Sequence, residues 1–162
     1  MQMRKNIMDV YTAFRENEKL LRLLYYKPED ANDNPLDTSK ENILDKNTSE
    51  KWSIIEDRIV RTAKINDLDD DEKCRLLMYL GNRGNTSNYF YASQELIIDV
   101  MVHFDFDEVD LRLSWICDTI SDIIFNKKVT GVGKVMFGGG RQINAPEGYV
   151  GYRLIYVLGG VN

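Results

Sequence analysis

The sequence predicts an α+β fold, in which a mostly antiparallel β-sheet is packed by one long helix and by an N-terminal helix. Three observations support this class. Apolar residues recur at helical spacing in residues 6–26 and again in 109–124, whereas residues 94–104 alternate between apolar and more polar positions. Glycine-rich and β-branched segments after the second helix predict further strands.

The length and composition of the chain favour a single domain. Its 162 residues lie within the usual size of one domain, and 43% hydrophobic with 29% charged residues is ordinary for a globular protein. We therefore expect one domain over residues 1–162. It would comprise an N-terminal helix over 1–26, an extended polar arm or loop over 27–51, and an α+β core over 52–162.

The polar arm follows directly after the N-terminal helix, which Pro28 ends because proline disfavours helical geometry in the residue before it. The arm also contains Pro35 and is rich in Asp, Asn, Ser and Thr. A polar segment of this length in a compact domain is usually functional or disordered. We expect it to pack either on a neighbouring subunit or on the body of its own domain.

One stretch of the arm resembles a calcium-binding loop. Asp30, Asn32, Asn34 and Glu41 occupy its first, third, fifth and twelfth positions, but Pro35 stands where the loop requires glycine. Asp and Asn side chains commonly stabilise turns by hydrogen-bonding the nearby backbone. The sequence therefore favours turns over a calcium site.

Two strands are predicted in the first half of the core, around residues 59–65 and 74–80. An acidic turn over 67–72 would join them in an antiparallel hairpin, and residues 81–84 would end the second strand. A short helix over 72–80 remains an alternative.

The clearest strand is 94–104, and the long helix follows it. Asp107 is the predicted N-cap, since acidic residues favour the first turn of a helix. The helix should end near the basic residues 126–128. Residues 132–137 and 151–158 are then predicted to form two antiparallel strands.

Glycines 138–140 are predicted to form the tip of this last hairpin. They do not match a phosphate-binding loop, which needs a different glycine spacing at the start of a helix. Arg141, beside the tip, is a candidate contact for a partner.

Composition argues against several classes of function. A net charge of −5 and a pI near 5.0 are not typical of a protein that binds nucleic acid over its whole surface. Cys74 and Cys117 are far apart and share the chain with a single histidine, so a four-ligand zinc site is excluded. We expect no metal, no cofactor, no signal peptide and no membrane span.

An enzyme remains an alternative on one pattern. His103 and Asp105 lie two residues apart on a strand, so both side chains would point to the same face. Together with the acidic turn they could form a small hydrolytic site. A general base also needs a nucleophile and an orienting group, and the sequence has no recognisable nucleophile turn. A structural role is favoured.

Three consecutive aromatic residues, Tyr89, Phe90 and Tyr91, lie in a predicted loop. Aromatic side chains are costly to expose and are enriched at protein interfaces. They are candidates for contact with a partner, and packing onto the chain's own core is an equal alternative.

From residue 94 onward, a strand and an Asp-containing break precede a helix with Asp-Leu-Arg-Leu-Ser-Trp at 110–115. Gly-Val-Gly-Lys at 131–134 and a hairpin with Gly-Tyr-Val-Gly-Tyr at 148–152 then follow. In this order and spacing the chain resembles the tail-completion and tail-terminator proteins of tailed bacteriophages. The N-terminal helix before a strand pair is also similar to tail terminators.

This resemblance implies a non-enzymatic virion protein that is assembled in the host cytoplasm. It would form a homo-oligomeric ring, expected to be a hexamer, that caps the tail tube and joins it to the head connector, with DNA passing through the lumen. The tail tube protein is the expected partner, and the sheath is a further candidate. Tyr149, Pro28 and Pro35 join Arg141 and residues 89–91 as expected interface residues. Another neck protein, such as an adaptor or stopper, and a monomeric binding module remain alternatives.

Overall fold

A computed structural model describes residues 2–68, 71–88 and 92–159. Its α-helices are α1 (Met3–Arg15), α2 (Glu18–Tyr25), α3 (Thr48–Arg58), α4 (Phe104–Asp110) and α5 (Arg112–Ile124), with a 3₁₀ turn at Ile43–Asp45. Its strands are β1 (Ile59–Val60), β2 (Cys74–Asn85), β3 (Ala92–His103), β4 (Met136–Ile143) and β5 (Tyr149–Leu158). The predicted α+β class is confirmed.

The strands form one mixed sheet in the order β1-β2-β3-β5-β4. It consists of two hairpins, β2–β3 and β4–β5, joined along β3 and β5, where Val100 lies opposite Tyr152. β1 adds to β2 in parallel, with Ile59 opposite Leu76.

The predicted antiparallel hairpin between 59–65 and 74–80 is therefore wrong. Its first segment is a strand only at Ile59–Val60, and it follows directly on helix α3, which Asn47 caps by accepting a hydrogen bond from the backbone N–H of Glu50 at 2.9 Å. These two residues pair with β2 in parallel, and the chain from 61 to 66 is irregular. The alternative helix over 72–80 is also wrong, because these residues enter β2.

The predicted N-terminal helix is two helices. Asn17 lies between them, and its side-chain oxygen accepts a hydrogen bond from the N–H of Leu20 at 2.9 Å. This cap starts α2 in a new direction although the apolar pattern continues through it. α2 ends at Tyr25, as Pro28 predicts.

The long helix is likewise broken, at Leu111, whose φ of 55° lies in the left-handed region. Asp107 is not the first cap of the helix but a residue within α4. Its Oδ1 accepts a hydrogen bond from the N–H of Leu113 at 2.9 Å and so caps α5 across the kink. α4 itself begins directly after β3, where His103 Nδ1 accepts from the N–H of Asp105 at 3.2 Å.

Replacing Leu111 by Gly is expected to raise the free energy of unfolding by about 0.5–1 kcal/mol. The left-handed conformation costs a residue with a Cβ about 1–2 kcal/mol, and glycine avoids this cost. Part of the gain is offset, because glycine loses more conformational entropy than leucine on folding. The Leu111 side chain is 67% exposed, so little burial is lost. Urea unfolding measures the change. Lys19→Gly at an exposed position of α2 should instead lower stability by about 1 kcal/mol.

The helices cover one face of the sheet and form the main core with it. The β3 side chains on that face, Leu96, Ile98, Val100 and Val102, are fully buried. We call the opposite side the helix-free face. Part of it is covered by loops, which bury a smaller cluster of Leu68, Leu77, Met101 and Tyr149.

The polar arm packs on its own domain. The hydroxyl of Tyr26 donates to the carbonyl of Glu41 at 2.6 Å, and Arg22 Nη1 donates to the carbonyl of Asp37 at 3.0 Å. The arm ends earlier than predicted, because α3 begins at Thr48.

The calcium-like residues form turns. Asp30 Oδ1 accepts from the N–H of Asn32 at 2.8 Å, and Asn34 Oδ1 accepts from the N–H of Leu36 at 2.9 Å. These are the backbone contacts that Asp and Asn make in turns.

The predicted glycine tip is also wrong. Gly138–Gly140 lie within β4, and the hairpin turns at residues 144–148 instead. Gly139 has a φ of +149° at a register shift in the strand, which favours glycine. A Cβ on Gly140 would lie 3.0 Å from a ring carbon of Tyr152. The glycines therefore allow an irregular strand to approach β5 closely.

Candidate interaction surface

Buried charges beside the sheet are neutralised within the chain. The Arg75 side chain is 2% exposed and holds two carboxylates: its Nη1 lies 2.6 Å from Asp67 Oδ1 and its Nη2 lies 2.9 Å from Asp57 Oδ1. Lys73 Nζ contacts the same Asp57 carboxylate at 3.0 Å. This network joins the end of α3 to the start of β2.

The hydrogen bonds from Arg75 lower the pKa of Asp67 from 3.8 to about 2. A carboxylate whose pKa is lower in the folded state stabilises the protein above its unfolded pKa, and that stability is lost as the pH falls through the folded value. We therefore expect stability to decrease between about pH 4 and pH 2, in part because Asp67 becomes protonated.

Asp67→Asn should be less stable than the wild type at neutral pH, and the difference should narrow as the pH approaches 2. Urea unfolding at several pH values tests this. Asp45→Asn is the control, because Asp45 is exposed and has no ion pair among the described residues. A difference that stays constant down to pH 2 would contradict the prediction.

A second polar network lies on the helix-free face. Asp99 is 4% exposed and accepts from Arg153 Nε at 2.7 Å and from Arg153 Nη2 at 2.8 Å. Tyr79 donates its hydroxyl hydrogen to Asp99. Burial, together with this hydrogen bond, raises the pKa of Tyr79 to about 12. The network ties β2, β3 and β5 together and leaves Tyr79 protonated at neutral pH.

The candidate catalytic residues occupy a third charged cluster. Ligand atoms of Glu72, His103 and Asp105 lie within 4.8 Å of one another, as a metal site would require. Lys27 already forms ion pairs with both carboxylates, at 3.0 Å from Asp105 Oδ2, and lowers the pKa of Asp105. A metal ion would have to displace this ammonium group. The His103 ring meanwhile caps α4 and packs edge-to-face on Tyr149.

The two thiols are poorly suited to nucleophilic chemistry. Burial raises the pKa of Cys74 to about 12 and that of Cys117 to the same value. Since the thiolate is the reactive form, neither group is activated at neutral pH.

The predicted interface residues fall into three groups. Tyr89, Phe90 and Tyr91 lie outside the described residues. Pro28, Pro35 and Tyr149 are buried within the chain, and the Tyr149 hydroxyl donates to the carbonyl of Asp71. Arg141 is exposed on β4, opposite Arg153 on the helix-free face.

The edge strand β4 has an open groove beside it. β4 ends the sheet, so the outer side of Met136–Ile143 has no strand partner among the described residues. Between β4–β5 and α5 lies a groove of about 390 Å³. Its lining residues are Leu113, Ser114, Cys117, Asp118, Ser121, Phe137, Tyr152 and Leu154.

Phe137 marks this surface most clearly. Its side chain is 50% exposed and packs edge-to-face on Tyr156, with ring centroids 5.6 Å apart. An exposed aromatic residue on the edge strand of a sheet is typical of surfaces that bind another chain.

The helix-free face also carries partly exposed apolar side chains. Ile97 lies opposite Ile155, and Met136 lies opposite Val157, and all four side chains are only partly buried. Half-buried apolar residues on adjoining strands form a surface that a partner can cover.

The sequence patterns did not predict β4 as an edge strand, because its three consecutive glycines are more typical of a turn than of a strand. The turn residues Pro146, Glu147 and Gly148 were the available signal, since they place the reversal of the chain after residue 143. With that turn, Phe137 falls on an edge strand.

The comparisons with known proteins agree on one family. Residues 17–158 match the family described as YomW. The chain is also 34% identical over 156 residues to the SPbeta prophage-derived uncharacterized protein YomW of Bacillus subtilis (strain 168). That alignment covers 93% of this chain and 92% of the relative. The chain therefore belongs to the YomW family, a family of phage-derived proteins.

Proposed function

We propose that this chain is a non-enzymatic structural protein of a phage virion, which forms a ring that terminates the tail tube and joins the tail to the head connector. The observation that carries the proposal is the eight-residue edge strand β4, whose outer side has no strand partner among the described residues and which lies beside an open groove. Such an edge can recruit another chain through backbone hydrogen bonds.

The pairing of the buried charged residues supports a structural role. The five buried charged residues among those described each form an intramolecular ion pair: Arg22, Lys73, Arg75, Asp99 and Arg112. A general acid or base needs a group that is free to exchange a proton with a substrate. These groups instead fix helices and strands to one another.

Membership of a phage-derived family is consistent with this role, and the sequence resemblance to tail terminators makes it specific. The chain would assemble in the host cytoplasm as a homo-oligomer, with a hexamer as the expected ring. The tail tube protein, the sheath or both would be its partners on one side and a connector protein on the other. A net charge of −5 would favour passage of DNA through the lumen, because like charges repel.

The test is the solution mass of the chain at several concentrations, with and without purified tail tubes. We expect a concentration-dependent ring and, by electron microscopy, a cap at one end of each tube. A chain that stays monomeric in every condition and never binds a tube would contradict the proposal. A ring that binds only the head connector would point to a neck adaptor instead.

His103→Asn separates the structural role from an enzymatic one. Asparagine keeps a side-chain acceptor for the N–H of Asp105, and it is among the preferred helix caps. It removes the imidazole that acid–base catalysis would need. We expect ring formation and tube capping to equal those of the wild type. A folded variant that no longer assembles would contradict this expectation, because the imidazole itself would then be needed for assembly.

A further inference from the structure

The sheet has an unpaired stretch at both of its edges. On the β4 side, the outer edge of Met136–Ile143 has no strand partner among the described residues. On the other side β1 pairs only with Leu76 and Leu77, so the outer edge of residues 78–85 of β2 also lacks a strand partner in the described part of the chain. The two free stretches are equal in length.

Their directions are compatible. β2 and β5 are both antiparallel to β3, and β4 is antiparallel to β5. β4 therefore runs opposite to β2. A second copy in the same orientation would place its β2 antiparallel to β4 of the first and extend the sheet.

The helix layer is complementary in the same arrangement. α5 packs on β3 and β5 and leaves the groove beside β4 open. At the other edge, α1 lies close to β1 and to the distal part of β2, since Arg61 Nη1 is 3.4 Å from Met8 Sδ and Arg83 Nη1 is 3.8 Å from Met3 Sδ. In the extended sheet, α1 of the second copy would lie over β4 of the first. Its methionine side chains can adapt to fill an irregular groove.

On the helix side of the sheet the charges beside the two edges are opposite, whereas Arg141 adds a positive charge on the helix-free side of β4. Asp118 and Asp122 are exposed on α5 beside the groove, and neither has an ion pair among the described residues. Arg61 and Arg83 are exposed at the β2 edge and have no carboxylate within 4.0 Å in the described part of the chain. Each edge also has a nearby charge of the other sign. Glu56 lines the same depression as Arg61, and Lys134 precedes β4. Complementary charges favour the correct pairing of two surfaces.

We infer that two copies of this chain bind head to tail, with the β2 edge and α1 of one copy occupying the β4 edge and the α5 groove of the next. A contact between two different surfaces of one chain generates a ring when its rotation closes. The inference rests on the proposed ring and specifies its subunit contact.

Two variants, each altered on one side only, test the contact. Asp118→Arg reverses the charge at the groove, and Arg61→Glu with Arg83→Glu reverses it at the opposite edge. Each variant alone should assemble at least about tenfold more weakly than the wild type, because like charges then face each other. An equimolar mixture should recover assembly, because the reversed groove of one variant then faces the reversed edge of the other, and the two unaltered surfaces also carry opposite charges.

The controls are Asp45→Arg and Lys19→Glu, which reverse exposed charges away from both edges. They should assemble as the wild type does. Circular dichroism and unfolding curves establish that every variant is folded. Analytical ultracentrifugation measures the mass in each case.

The outcomes distinguish this contact from the proposed function. If the wild type forms a ring and neither edge variant weakens it, the head-to-tail contact is wrong and the ring stands. If the mixture of the two variants remains monomeric although both are folded, the contact is also wrong. If the wild type never assembles, with or without tail tubes, the proposed function itself fails.

Discussion

Replacing Arg112 by Met is expected to lower the free energy of unfolding by about 3–5 kcal/mol, the usual cost of removing one partner of a buried ion pair. The Arg112 side chain is fully buried, and its Nη2 lies 2.7 Å from Asp110 Oδ2. Its Nη1 donates to the carbonyls of Leu23 and Tyr26, at 2.6 and 2.7 Å. These carbonyls lie at the end of α2, where helical hydrogen bonds are no longer available. Methionine fills a similar volume but leaves Asp110 and both carbonyls without their donor.

Urea unfolding measures the loss of stability in Arg112→Met, and two further variants show which interaction causes it. Arg112→Lys should recover only part of the stability, because an ammonium group cannot reproduce the fork of hydrogen bonds that guanidinium forms. Lys19→Met removes an exposed cation from α2 and should change stability by no more than about 0.5 kcal/mol. If Arg112→Met were as stable as Lys19→Met, the hydrogen bonds from Arg112 to the end of α2 would not stabilise the packing of α5 against α2.

Replacing Ile98 by Ala should cost about 2–5 kcal/mol of folding stability, as expected for truncating a fully buried isoleucine. The neighbouring Ile97 is a matched control, since it has the same side chain on the opposite face of the same strand. Ile97 is only partly buried, between Tyr79 and Ile155, and its truncation should cost about 1 kcal/mol.

The two variants compare the two faces of one strand. Ile98→Ala should lower the unfolding midpoint clearly more than Ile97→Ala does. Equal losses of stability from the two variants would mean that the helix-free face is as well packed as the core. Thermal unfolding of the two variants side by side gives the answer.

The sequence predicted the elements whose pattern is set by burial on one face. Residues 94–104 alternate regularly because β3 lies at the centre of the sheet, with the helices on one side of it. The breaks in the helices were missed because apolar spacing continues across them. Asn17 and Asp107 decide these breaks through single hydrogen bonds to the backbone, which periodicity does not register.

The candidate surface was harder to predict than the fold. β4 carries three glycines, so it has few side chains from which to recognise a strand. The parallel pairing of β1 depends on where α3 ends, and a two-residue strand leaves no periodic pattern. Arg112 and Arg75 look like ordinary surface cations in the sequence, and only the folded chain brings their acceptors around them.

The junction of the two hairpins along β3 and β5 also affects how the chain is made. β3 pairs with residues 46–64 positions later in the sequence, from His103 with Tyr149 to Gln94 with Leu158. On a ribosome, β2–β3 can close while β5 has not yet been synthesised, and at about 5–20 residues per second the wait lasts several seconds. During that time the strand that later lies at the centre of the sheet presents an unprotected edge. The chain is then most vulnerable to aggregation, and a chaperone that binds extended apolar segments would have its target in β3.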